Sequence, residues 1–211
     1  MTAAKPLGPA PLDFPTFLTA RVIFDTTIPL YFARIGRGLL LAGLFRDRAV
    51  IPQAVRNELH GLANDYPQVR TLLEPKCFAR IVNQTDEEWL TEVDKWLRGW
   101  KGVEVWEEIP NGDDRGEAEC LVLCDRLGLQ MVAQDNKALR GAIPKQIQVF
   151  SAIHVCLALK AKGGFSAEDA WRIYLELTAE GLHAAVGYGV KADEIAASNA
   201  RFMALAAQVK P

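Results

Sequence analysis

Cysteine, histidine and long apolar runs are scarce in this chain. Among its 211 residues are four cysteines and three histidines. The cysteines, at positions 77, 120, 124 and 156, form no Cys-x-x-Cys pair. Neither a disulfide frame nor a zinc site is indicated, and reduced thiols are expected. Apolar runs such as residues 39–44 fall far short of the roughly 20 residues that a bilayer crossing needs, so no membrane span is expected. Residues 1–20 hold Pro6, Pro9, Pro11 and Pro15 with a single Lys5 and no central apolar stretch. This is not the make-up of a secretory signal, and the expectation is a cytoplasmic protein with a Pro-rich N-terminal arm that is mobile or ordered on contact. No large excess of one charge exists either: 24 basic against 26 acidic side chains leave −2, which excludes a broad basic coat for nucleic acid. Also missing are a Gly-x-Ser-x-Gly elbow, a P-loop and a dinucleotide fingerprint, since Gly36-Arg-Gly38 has the spacing of neither phosphate-binding loop.

What is present is an alternation of strand and helix signals. Val22, Ile23 and Phe24 form a short β-branched and aromatic run that ends at Asp25. Pro29 suits a first helical turn, Thr26 or Thr27 suits a cap, and glycines at 36, 38 and 43 divide residues 30–45 into two short helices. A strand at 49–51, a helix from Pro52 to about 62, an apolar run at 78–82 and an amphipathic helix at 86–100 follow, the last with Trp89, Val93, Trp96 and Trp100 near helical spacing. A helix at 114–127 stops at Gly128, a strand occupies 129–133, and a short helix covers 136–140. A last strand at 148–150 precedes a nearly all-apolar helix capped by Ser151 and ended by Gly163, and two further helices start at Ser166 and near Asp193. Such an order calls for a parallel sheet covered on both faces: a three-layer α/β/α sandwich with extra C-terminal helices.

In open α/β sheets ligands bind beyond the carboxyl ends of the strands. Asp25 and Asp135 sit there, each after an apolar run and before a helix, although each also suits an N-cap. Helical spacing tests the remaining acids. Glu58 lies three residues beyond Val55 and four before Leu62, on the apolar stripe, where a carboxylate is costly unless compensated. Glu117 aligns with Leu121 and Cys124 and is expected to point inward, whereas Glu119 aligns with Arg126 and is expected to face solvent. Asp114 has a structural role available as an N-cap in a capping box with Glu117.

Asp25, Glu58, Glu117 and Asp135 are thus expected near one end of a single sheet. Clustered carboxylates raise each other's pKa, and a hard divalent cation with oxygen ligands relieves the repulsion. Mg²⁺ or Mn²⁺ fits this set, and no histidine joins it: His60 faces away from Glu58, His154 lies in an apolar helix, and His183 falls in a loop. Carboxylate-held Mg²⁺ can activate a water and neutralise charge on a phosphodiester, so the natural substrate is a phosphate ester.

Ile23-Phe-Asp25-Thr-Thr27, Ile51-Pro-Gln-Ala-Val-Arg-Asn-Glu58, Asp114-Arg-Gly-Glu117-Ala-Glu119 and Val132-Ala-Gln-Asp135-Asn-Lys-Ala-Leu-Arg140 resemble, in order, the four acidic motifs of PIN domains. The likeness is greatest to the subgroup marked by a Gly-Glu-Ala-Glu signature and related to VapC-type toxin ribonucleases. It covers residues 21–185 and leaves 1–20 as an arm and 186–211 as a helical extension. The resemblance implies a Mg²⁺- or Mn²⁺-dependent hydrolase, an endoribonuclease of single-stranded RNA, with Asp25, Glu58, Glu117 and Asp135 as metal ligands and catalytic acids. Thr27, Asp114 and Asn136 take supporting places, Thr27 at the hydroxyl position beside the first acid. It further implies the toxin of a toxin–antitoxin pair. One departure is Gln134, where the subgroup often has a second aspartate before Asp135.

RNA binding by a slightly acidic chain needs local cations. Arg34 and Arg37, in a stretch of five arginines opposed only by Asp47, are the expected phosphate contacts, with a solvated helical face as the alternative. Ile195, Phe202 and Val209 recur every seven residues and, with residues 30–45, are read as a surface for a homodimer or an antitoxin helix, or as self-burial. The rival reading from another class is a catalytically inactive PIN-like binding module acting through protein or RNA contacts. A phosphatase of the haloacid-dehalogenase type is disfavoured by Thr27, where that chemistry wants a second aspartate.

Overall fold

The computed structural model describes residues 10–75, 77, 78, 80–82, 86–101, 114–162 and 164–209. Residues 1–9 of the arm, Ala79 of the third apolar run and the helix-ending Gly163 lie outside the described residues. So does the side chain of Trp100.

Five short strands, β1 (Val22–Phe24), β2 (Ala49–Pro52), β3 (Arg80–Val82), β4 (Gln130–Val132) and β5 (Val149–Phe150), form one parallel sheet. Its order is β3-β2-β1-β4-β5. Apart from Arg80 and Gln130 at the starts of β3 and β4, their residues are β-branched, aromatic or otherwise apolar because both faces of such a sheet are covered. Pairs Ile23↔Met131 and Phe24↔Val132 place the end of β1 beside the end of β4. Between these two strands the order of succession reverses, and a crevice opens at that point in doubly wound sheets. Asp25 follows β1 and its backbone N–H donates to the Val132 carbonyl at 3.1 Å, so the strand-terminal acids share this edge.

Helices flank the sheet, as an α/β/α sandwich requires. The described helices are α1 (Phe14–Phe17), α2 (Thr27–Arg34), α3 (Gly38–Leu44), α4 (Gln53–Leu62), α5 (Glu87–Lys101), α6 (Arg115–Leu127), α7 (Asn136–Ala142), α8 (Ala152–Lys162), α9 (Ala167–Ala179) and α10 (Ile195–Gln208). Helix α6 packs on β1, β2 and β4, with α4 and α5 against it. It ends as its sequence requires, at Gly128 in the left-handed region with φ of 62°. Helix α8, buried nearly all round, packs on β5 and carries α9 and α10. Among the described residues no helix is long and apolar enough to cross a membrane.

In two regions the structure takes one of the alternatives that the sequence leaves open. The described part of the arm is no loose appendage: Phe17 is fully buried and stacks on Phe150 with centroids 4.1 Å apart, while Arg48 donates to the Phe17 and Ala20 carbonyls at 3.0 and 2.7 Å. On α10 Phe202 turns inward, fully buried 5.4 Å from the Trp171 ring, while Ile195 stays exposed. Trp89 and Trp171 are likewise packing residues.

Because Phe17 seals the sheet edge at β5, Phe17→Ala is expected to lower folding stability by about 3–5 kcal/mol, read from chemical denaturation. A change below about 1 kcal/mol would mean that the arm is not part of the cooperative fold.

Candidate metal centre

Three carboxylates are drawn into the protein at the carboxyl end of the sheet. Asp25, Glu117 and Glu119 are each only 7% exposed. Asp25 sits in the tight β1–α2 connection, where it accepts hydrogen bonds from the Thr26 and Thr27 backbone amides and the Thr27 hydroxyl. Burial nevertheless pushes its pKa above the usual carboxylate range, with the charge of Asp135 adding to the rise.

Glu58 is half-buried on α4. Its Oε2 accepts from the Thr26 hydroxyl and its Oε1 from the Gly116 amide at 3.2 Å. Burial raises its pKa first, then Asp25 and Glu119, against the two hydrogen bonds that stabilise the ionised form. Thr26 occupies the N-cap position of α2 without a side-chain capping bond; it spends its hydroxyl on Glu58 instead. The approach of Glu58 to α6 demands glycine at 116, because a Cβ there would lie 2.6 Å from Glu58 Oε1 and 3.0 Å from Val55 Cγ2.

Glu117 differs from its neighbours. Its Oε1 is buried and has no hydrogen-bond partner among the described residues. Burial, followed by the charges of Asp25, Asp135 and Asp114, raises its pKa to about 8, with Lys137 opposing the rise. An unpartnered buried carboxylate oxygen is costly unless it is protonated or meets a cation. Asp135 lies at the rim, exposed, as the N-cap of α7: its Oδ1 accepts from the Lys137 amide at 2.7 Å. Capping and facing the other acids are compatible, since only one oxygen serves the cap.

Other sequence expectations fare differently. Glu119 does not face solvent. Its Oε2 accepts from the Ala54 amide at 3.3 Å and its Oε1 from Arg115 Nε at 3.0 Å. Every residue of α6 from 116 to 124 is buried, because α4 and α5 enclose it on both flanks, and a helix enclosed in this way has no polar face for periodicity to find. Asp114 precedes α6 but makes no side-chain capping bond, so the expected capping box is not formed; Asp114 Oδ1 instead pairs with Lys137 Nζ at 2.8 Å. Asn136 is exposed and its side chain makes no hydrogen bond among the described residues. Arg34 and Arg37 are engaged within the fold: Arg34 pairs with Glu180 at 2.9 Å and Arg37 grips Glu176 through two nitrogens at 2.8 and 3.2 Å. Gln134 stitches the end of β4 to its surroundings, donating to the His183 carbonyl at 2.8 Å and accepting from the Ala152 amide at 3.0 Å. His154 is a core histidine whose Nδ1 accepts from the Ser151 amide at 3.1 Å; burial lowers its pKa to about 4.

The oxygen donors of these acids are of the chemical class that a hard divalent cation takes. All of the facing groups are carboxylates, they depress one another's ionisation, and Glu117 presents an oxygen that the protein leaves unbonded. Among the described residues, no three His, Cys, Asp or Glu side chains stand together at metal-ligating distance. Like charges oppose closer approach, and a cation would supply the compensation that the polypeptide does not.

A family model for PIN domains, DUF3368, matches residues 21–187. No curated protein and no solved structure matches the chain.

The raised acids give a signed pH dependence. Folded Glu117 keeps a proton up to about pH 8, whereas an unfolded glutamate releases it near pH 4.5, so the folded state binds more protons between those limits. Stability of the metal-free protein is expected to fall as pH rises from about 5 to 8, with Asp25 and Glu58 acting in the same sense. Glu117→Gln should flatten that fall in denaturation midpoints; an equally steep fall in the variant would mean that Glu117 is not the group titrating.

Proposed function

The chain belongs to the PIN-domain family, and from that premise we propose that it is a Mg²⁺- or Mn²⁺-dependent endoribonuclease acting on single-stranded RNA. PIN domains are generally nucleases, hydrolases of phosphodiester bonds. The observation that carries the reading to this chain is the unpartnered, buried Glu117 oxygen among Asp25, Asp135 and Asp114. Asp25, Glu58, Glu117 and Asp135 would hold the cation. When bound, such a cation lowers the pKa of a coordinated water and offsets charge on a phosphodiester.

The polypeptide's own contribution is placement and proton control. Thr27 and two backbone amides orient Asp25, while Thr26 and Gly116 orient Glu58. Glu117, its pKa raised to about 8 by burial and the neighbouring acids, holds a proton at neutral pH in the metal-free protein. Burial of Asp25 and Glu117 keeps bulk water from competing for their oxygens. The finer assignment, an RNA-cleaving toxin restrained by an antitoxin protein, rests on the resemblance of the four motifs to VapC-type ribonucleases.

A second reading is favoured by a specific observation: Glu58, Glu119 and Asp135 all bond backbone amides at helix starts. Acids used only in this way belong to a PIN-like binding module without catalysis. Activity separates the two. With Mn²⁺ the purified protein is expected to cut single-stranded RNA, and Asp25→Asn to lose more than about 100-fold, beyond the range seen when mere partners of metal ligands are changed. Equal cleavage by both proteins would identify a contaminant or a wrong site, and none by the wild type would favour the module.

A further inference from the structure

With Arg34 and Arg37 bonded to α9, the cations that could meet a polyanion must lie elsewhere. One group of them lines a cleft of about 720 Å³ between α5, α6 and α7, bounded by Glu92, Lys95, Trp96, Asp125, Lys137, Arg140 and Lys145 among others. Its acids are already spoken for: Asp125 pairs with Lys145 at 2.6 Å and Glu92 with Arg126 at 2.8 Å. Lys137 pairs with Asp114 just outside. Lys95 and Arg140 are exposed, and among the described residues neither has an ion-pair partner, in a chain whose net charge is −2.

The cleft and the acidic centre are built on the same two helices. Helix α6 carries Glu117 at its start and Asp125 two turns further on, about 12 Å along the axis. Helix α7 begins at its Asp135 cap and carries Lys137 and Arg140. Lys137 joins the two regions, since its amide donates to Asp135 and its side chain lines the cleft. Cations along a groove suit a single strand, whose phosphates meet the charges.

We infer that this cleft is the track for the backbone of a single-stranded RNA leaving the acidic centre, with Lys95 and Arg140 contacting its phosphates. The inference rests on the nuclease reading for the direction of the strand. It accounts for how a slightly acidic chain holds RNA: two local charges, not a basic coat.

The test is binding of a fluorescein-labelled 20-mer of uridylate to the full-length protein in EDTA, followed by anisotropy across salt concentrations. Each lost phosphate contact lowers the log–log salt slope by about 0.7 for a single strand. The Lys95→Gln/Arg140→Gln protein is expected to bind several-fold more weakly at low salt, with a slope reduced by about 1.4. Arg172→Gln, an exposed charge on α9, serves as the control and should leave both unchanged. Wild-type affinity and slope in the double variant would overturn the inference, as would an equal loss in the control or absence of binding by the wild type. The nuclease reading fails separately: RNA held through Lys95 and Arg140 but not cut with Mn²⁺ refutes catalysis and leaves the cleft intact, whereas cutting with unaltered KM in the double variant does the reverse.

Discussion

Two glutamates tie α4 and α6 together, each reaching the other helix's first turn. Glu58 on α4 accepts from the Gly116 amide of α6, and Glu119 on α6 accepts from the Ala54 amide of α4. Helix N-termini carry unsatisfied N–H groups and partial positive charge, so each carboxylate lies where an anion is stabilised. This reciprocal pair lets the fold admit acids into its interior and sets the two helices that present Glu58 and Glu117 to the sheet edge. The contact leaves no room for a side chain at 116. In the Gly-Glu-Ala-Glu signature the glycine and the second glutamate thus serve the helix pair, while the first glutamate is left without a partner for its Oε1.

Much of this architecture was legible in the residues. The strand-ending positions of Asp25 and Asp135, the stop at Gly128 and the two short helices around Gly36 all follow from local pattern, and the parallel sheet follows from their alternation. Glu58 and Glu117 were traceable because helical spacing set them among apolar residues. Spacing failed for Glu119, since a helix covered on both flanks buries its polar positions too. It also failed for Asp114, because a capping pattern describes what a side chain can reach locally and does not register a lysine 23 residues away.

The arginines show the same limit from another side. A run of like charge along the chain says little about where that charge ends up once Glu176 and Glu180, about 140 residues on, are folded against it. Ionic partners are chosen in space, and the cations left over after such pairing are the ones available to a ligand. By that criterion Lys95, which stands in no motif, and Arg140, which closes the fourth acidic stretch, matter more than the conspicuous Arg34 and Arg37.

The central claim is that Asp25, Glu58, Glu117 and Asp135 hold a hard divalent cation. Its most direct test is calorimetric titration of Mn²⁺ into the metal-free protein at pH 7, repeated in buffers of different ionisation enthalpy to count the protons released. The account predicts saturable binding with release of close to one proton from Glu117, and weaker binding without that release in Glu117→Gln. No saturable heat, or the same affinity and proton count in the variant, would contradict it.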